Sequence, residues 1–202
     1  MINIEVLSLG PMDNCTYLVT QGTNALLIDP AWDPNFIIHT VETKKLHLCG
    51  VLFTHGHFDH VKFSQTILEH FHLKAYLEKN DVPLAGLPEN LLHTYTGDQT
   101  FKIGPFEVRI LATPGHTAGG VCIAIEDALF TGDTLFPGAC GRVDLPSSDP
   151  RAMLASLRRI ASLPDDTRIF AGHSYGGRCS STVADEKLHN PYVRNALRRE
   201  EN

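Results

Sequence analysis

Residues 54–60 read Thr-His-Gly-His-Phe-Asp-His, so three imidazoles and a carboxylate fall between His55 and His60. Neutral imidazole suits zinc and iron, and an added carboxylate extends the choice to harder cations. Side-chain directions on a helix or strand repeat with a fixed period, so His55, His57, Asp59 and His60 cannot all face one point there. A loop can splay them toward two points. The segment therefore predicts two neighbouring metal ions, each needing further ligands from elsewhere in the chain.

Those ligands are sought just beyond later apolar runs. His116 follows Phe106 to Leu111, Asp133 follows Ala128 to Phe130, and His173 follows Arg168 to Ala171. Each has glycine immediately before it, which lets the chain turn sharply or approach an ion closely. A lone Gly-His or Gly-Asp after a strand is an ordinary turn. Together with the histidine cluster these three complete a set of five histidines and two aspartates.

On these residues the chain resembles the metallo-β-lactamase superfamily over nearly its whole length. The superfamily motif is His-x-His-x-Asp-His, then a lone His, a bridging Asp and a final His. Here His55, His57, Asp59, His60, His116, Asp133 and His173 fill every position. Within the superfamily the chain is most similar to the glyoxalase II group of hydroxyacylglutathione hydrolases and to the persulfide dioxygenases. Asp13 to Val19, Leu27 to Pro30, Cys140 to Asp144, and Ser181 through Pro191 carry that finer likeness.

The resemblance implies a role for each residue. His55, His57 and His116 would hold a first ion, and Asp59, His60 and His173 a second, with Asp133 bridging them. Zinc is the first expectation, with iron and manganese as the other choices. A water shared by two such ions is deprotonated near neutral pH. As a bridging hydroxide it would attack an activated carbonyl, foremost a thioester, whose thiolate leaves with little acid help. Asp59 is in addition placed to accept a hydrogen bond from the nucleophile. Tyr175, two positions after the last His, and Arg142, in Cys140-Gly141-Arg142, are expected beside the substrate. Arg178 and Lys187 are weaker candidates for gripping an anionic tail.

Only a short tail follows His173, whereas the longer glyoxalase II enzymes carry a helical extension with basic residues for glutathione. Another thiol carrier, an acyl carrier protein or coenzyme A, is therefore an alternative partner. The rival chemistry is a persulfide dioxygenase with one iron on His55, His116 and Asp133, a face of two histidines and a carboxylate. A third reading keeps the fold as a binding protein with little catalysis.

Elements able to deliver these ligands are visible as patterned segments. Strands are predicted at Ile2 to Leu9, Thr16 to Thr20, Ala25 to Asp29, Leu48 to Thr54 and Lys74 to Leu77. A second set is predicted at Phe101 to Ile103, Phe106 to Leu111, Val121 to Glu126 and Ala128 to Phe130. Helices are predicted over Asn35 to Leu46, Val61 to Phe71, and Pro150 to Leu163, the last with Asp149 as N-cap. The family resemblance makes the fold class α/β, a four-layer αββα sandwich with all ligands on loops at one edge. One domain over residues 1–202 is expected from the length.

Composition fits a compact enzyme, with 43% hydrophobic and 20% charged residues. A formal charge of −6 offers no footprint for nucleic acid or anionic membrane. No apolar run is long enough for a bilayer, and Met1 to Val6 lacks the basic and apolar pattern of a leader. The five cysteines, Cys15, Cys49, Cys122, Cys140 and Cys179, are odd in number and widely spaced. A reduced, cytoplasmic setting is the expectation.

Overall fold

The computed structural model describes residues 1–175 and 177–198. In chain order the first half contains β1 (Asn3–Leu9), β2 (Asn14–Gln21), β3 (Asn24–Ile28), α1 (Pro34–Thr43), β4 (His47–Leu52), α2 (Phe58–Val61), α3 (Ser64–His70), β5 (Ala75–Glu78), α4 (Val82–Ala85) and β6 (Leu92–Tyr95). The second half contains β7 (Gln99–Ile103), β8 (Phe106–Ala112), β9 (Val121–Ile125), β10 (Ala128–Gly132), β11 (Leu135–Phe136), β12 (Ala139–Cys140), α5 (Pro150–Ala161), β13 (Arg168–Ala171), β14 (Ser180–Thr182), α6 (Val183–His189) and α7 (Pro191–Arg198).

One sheet has the order β1-β2-β3-β4-β5-β6, the other β14-β13-β10-β9-β8-β7. The first begins as an antiparallel meander and continues parallel from β3 onward. Both sheets are covered on both faces, so their central strands are apolar throughout and lack polar alternation. Alternation persists in direction. Tyr17, Val19, Leu26 and Ile28 meet Val108, Ile110, Ile123 and Phe130 between the sheets. Leu18, Leu27 and Val51 point the other way, toward Ile37, Val41, Ile67 and Leu68 of the flanking helices. On the far side Cys122, Leu129 and Ile169 pack on Met153, Leu157 and Ile160 of α5 and on Val193 of α7. These three apolar seams separate four layers, helix, sheet, sheet, helix, as expected from the family resemblance.

Helix starts follow local capping chemistry. Asp33 accepts from the Phe36 amide at the head of α1, and Asp149 accepts from Arg151 and Ala152 at the head of α5. The predicted helix over Val61 to Phe71 is instead two pieces. The Phe63 amide turns away to bond the Ala31 carbonyl at 3.0 Å, and the Ser64 hydroxyl takes the Val61 carbonyl at 2.6 Å. The break leaves α2 as a single turn that begins at Phe58. Asp59 and His60 therefore sit on a helical turn, not on the loop predicted for them. Strand β6, the β11–β12 pair, β14, α4, α6 and α7 lie outside the patterned segments.

The ligand-bearing segments leave the carboxyl ends of β4, β8, β10 and β13. Cross-links hold those ends in register at the joint between the sheets. The Val121 amide bonds the Thr54 carbonyl at 2.9 Å, the Gly172 amide bonds the Gly132 carbonyl at 2.8 Å, and the Cys15 amide bonds the Gly172 carbonyl at 2.8 Å.

Candidate metal centre

All seven predicted donors come together. Among the described residues, His55, His57 and His116 form one group with mutually close ligand atoms, and Asp59, His60 and His173 form another. Asp133 lies between them. Its Oδ2 is 3.5 Å from His116 Nε2 and 3.5 Å from His173 Nε2, while Oδ1 is 3.4 Å from His60 Nε2. His57 is half-buried and the other six are buried.

Hydrogen bonds on the outer ring nitrogens set which nitrogen faces inward. The Nδ1 atoms of His60, His116 and His173 donate to Asp29 Oδ2 at 2.9 Å, the Arg142 carbonyl at 2.9 Å and the Met12 carbonyl at 2.8 Å. His55 Nδ1 meets Thr54 Oγ1 at 3.1 Å, and that hydroxyl itself donates to Asp29 Oδ2 at 2.6 Å. These four imidazoles thus turn an Nε2 lone pair inward, the arrangement by which outer hydrogen bonds prepare metal ligands.

The inward atoms fit cations. His55 Nε2 and Asp133 Oδ1 are buried without any hydrogen-bond partner. His60 Nε2 and His173 Nε2 face each other at 3.2 Å, and His57 Nδ1 faces His116 Nε2 at 3.0 Å. Opposed lone pairs at such distances need a proton or a cation between them, and buried acceptors left unpartnered are costly without one. Mixed imidazole and carboxylate donors suit zinc, iron or manganese.

The charge balance of the donor side chains agrees. Burial pushes His55 and His57 below the usual histidine range, helped by the neighbouring imidazoles His60 and His116 respectively. Burial acts in the same direction on His60 and His173, but Asp133 outweighs it with Asp29 for His60 and with Asp59 for His173. His60 is raised and His173 reaches about 9. Burial alone would raise Asp59, yet the hydrogen bond to His173 and the charge on His60 hold it at about 2. The carboxylates thus remain anionic and draw positive charge into the centre.

Residues that sequence patterns did not single out for the site brace these donors. Asp29 accepts the Thr54 amide and hydroxyl as well as His60. Asn14 donates to the Asp59 carbonyl at 3.0 Å and to its Oδ2 at 3.2 Å, and is itself held by Trp32 Nε1. Asp81, fully buried, accepts from the Gly56 amide, the Thr117 hydroxyl and the Gly119 amide at 2.7–2.8 Å, tying the His55–His60 segment to the His116 loop. Gly172 lets β13 pass close to the centre, since a Cβ there would lie 2.5 Å from Asp133 Oδ1 and 2.8 Å from His60 Cε1. Gly172→Ala is therefore expected to displace the Asp133 carboxylate and lower metal content while the helical and sheet signals stay native. Elemental analysis beside circular dichroism checks this, and full metal content in the variant would contradict it.

The centre opens into a cleft of about 520 Å³, within the range of small-molecule sites. Met12, Phe58, Phe136, Ala139 and Leu145 give it apolar walls, and Arg142 and Tyr175 stand on its rim. The Tyr175 ring stacks on His173 with centroids 5.0 Å apart. Arg142 is beside the site as expected, but its guanidinium is paired with Asp144 at 2.8 and 3.0 Å. Lys187 is on α6, paired with Asp165 at 2.8 Å, and Arg178 is exposed; neither lines the cleft. The expected grip of these two residues on a substrate tail has no support in this arrangement, because α6 turns Lys187 toward Asp165.

The chain matches the model of the metallo-β-lactamase superfamily over residues 10–173 and belongs to that superfamily. It is 34% identical to the probable polyketide biosynthesis zinc-dependent hydrolase BaeB of Bacillus velezensis, across 89% of this chain and 81% of that protein. It is 32% identical to the hydroxyacylglutathione hydrolase GloC of Haemophilus influenzae, across 95% and 98% of the two chains. Among solved structures, TTHA1623 in a di-iron-bound form superposes with a TM-score of 0.81 at 35% identity, covering 93% of this chain and 99% of that one. ETHE1 from Myxococcus xanthus gives 0.85 at 29% identity, covering 96% and 85%. The likeness to glyoxalase II-like proteins drawn from the motifs is borne out by these matches. No helix among the described residues is long and apolar enough to cross a membrane.

Proposed function

We propose that the protein is a two-metal hydrolase of thioesters or similarly activated esters. The observation that carries the reading is a complete double set of inward-facing donors with Asp133 between the two groups. Two divalent cations bound there, zinc foremost, would acidify a water and polarise the substrate carbonyl. The chain's own part is to hold and orient. His55, His57 and His116 would hold one cation and Asp59, His60 and His173 the other, with Asp133 between them. Asp59 is anionic and rimmed by the cleft, so it is placed to accept a hydrogen bond from the nucleophile. The apolar walls exclude water around the acyl group, and Tyr175 covers His173 at the rim.

A mononuclear dioxygenase on His55, His116 and Asp133 would leave Asp59, His60 and His173 braced for no purpose, which favours the hydrolase. Among the described residues the cleft lining offers one guanidinium, already paired, and no other Lys or Arg. Glutathione, coenzyme A and an acyl carrier protein therefore all stand as thiol carriers. A cytoplasmic setting is part of the same proposal.

Asp59→Ala removes one donor of the second group and is expected to lower second-metal occupancy. Losing one cation's charge stabilisation costs several kcal/mol, about 10²–10³-fold in rate. The test is turnover of acyl-glutathione, acyl-coenzyme A and acyl-carrier-protein thioesters against measured metal content. Undiminished turnover in a variant that has lost its second metal would sink the two-metal reading.

A further inference from the structure

Outside the metal centre, the chain brings two cysteines far apart in sequence to one place. The Cys15 amide bonds the Gly172 carbonyl at 2.8 Å, and the Ala171 amide bonds the Cys179 carbonyl at 2.8 Å. The two cysteines therefore flank the consecutive residues Ala171 and Gly172 at the end of β13. Their side chains enter the same apolar seam between the sheets. There both thiols lie in the electrostatic reach of each other and of the Tyr17 hydroxyl, which donates to the Ala171 carbonyl at 2.5 Å.

Access differs between the two. Cys15 is 1% exposed, whereas Cys179 is half-buried and reaches the surface. Cys49, Cys122 and Cys140 have no such thiol neighbour among the described residues.

We propose that Cys15 and Cys179 form a redox-active dithiol that a low-molecular-weight disulfide converts to an intramolecular disulfide. The Cys179 sulfur attacks one sulfur of the reagent, breaking its S–S bond and expelling one thiolate with the bonding pair. The Cys15 sulfur then attacks Cys179 Sγ and expels the second thiolate, and the protons of both cysteines pass to the two released thiolates. Two protein thiols are oxidised and one external disulfide is reduced to two thiols. Interaction with Cys15 holds the Cys179 thiol down at about 6, against burial, and the same interaction pushes Cys15 up. Cys179 is thereby suited to the first attack and Cys15 to the second, sheltered one. This inference does not rest on the hydrolase reading.

The metal-loaded protein is incubated with glutathione disulfide, quenched by acid, denatured and alkylated, and its peptides are mapped by mass spectrometry. The expected result is loss of two alkylatable thiols per chain, with Cys15 and Cys179 in one linked peptide and Cys49, Cys122 and Cys140 alkylated. Cys179→Ser should leave Cys15 fully alkylatable, and Cys15→Ala should stop at a glutathione adduct on Cys179. Should Cys15→Ala fail to fold, the surface-reaching Cys179→Ser variant and the wild-type map still decide. Five alkylated cysteines in the wild type, or a link joining Cys140 instead, would overturn the proposal.

Discussion

Replacing His116 by alanine is expected to abolish thioester hydrolysis while leaving a folded protein. His116 faces His57 Nδ1 and Asp133 Oδ2, so it joins the first donor group to the residue between the groups. Its loss removes one ligand outright and releases Asp133 from one side. No neighbouring donor replaces it, because the adjacent Thr117 hydroxyl is committed to Asp81. The fold should tolerate the change, since His116 contributes one bond, to the Arg142 carbonyl, at the cleft edge. The expected loss exceeds about 10³-fold in kcat/KM, a metal's several kcal/mol together with the substrate carbonyl's misplacement. Turnover with a full thioester panel beside thermal unfolding measures it. Activity within tenfold of the wild type would place the chemistry elsewhere.

Asp29→Asn is the second large effect, and it acts without touching a reacting atom. The wild-type carboxylate accepts from the Thr54 amide, the Thr54 hydroxyl and His60 Nδ1. An asparagine of the same shape must aim its NH₂ either at the Thr54 amide or at the position of Oδ2. In the second orientation it faces His60 Nδ1, which then presents a lone pair outward and a proton on Nε2 toward the centre. A protonated Nε2 cannot ligate. Loss of such a bracing carboxylate typically costs 10–100-fold in metal affinity. A buried donor left unpaired adds about 1–3 kcal/mol of lost stability. Metal titration and denaturant unfolding should therefore both respond, with affinity recovered only in Asp29→Glu if the longer carboxylate still reaches. Wild-type affinity in Asp29→Asn would show that the tautomer of His60 is set by something else.

The donors were legible in the sequence because four crowd between His55 and His60 and the other three each follow an apolar run and a glycine, local patterns that need no knowledge of partners. His116, Asp133 and His173 fall at the carboxyl ends of β8, β10 and β13 as that pattern implies. Their braces were not legible. Asp29 meets His60 across 31 positions, Asp81 meets Thr117 across 36, and Asn14 meets Asp59 across 45. Asn14 and Asp29 fall in segments that carry the family likeness, but no local window shows which ligand either one meets. The helical turn under Asp59 and His60 was missed for a related reason. It depends on the Phe63 amide leaving the helix for the Ala31 carbonyl, a tertiary contact. Helices α6 and α7 are likewise shaped by Asn190, whose side chain reaches the Phe136 and Ala139 carbonyls and Glu186 Oε2. For Arg178 and Lys187 charge alone suggested a role, and the fold turned one of them onto Asp165.

The central claim is that this one cluster of seven side chains holds two ions. Elemental analysis of tag-free protein, purified without added metal and then titrated with zinc, tests it most directly. About two equivalents per chain, falling toward one in Asp59→Ala, are predicted from the two donor groups that share Asp133. One equivalent that does not rise on titration, and that is unchanged in Asp59→Ala, would contradict the account.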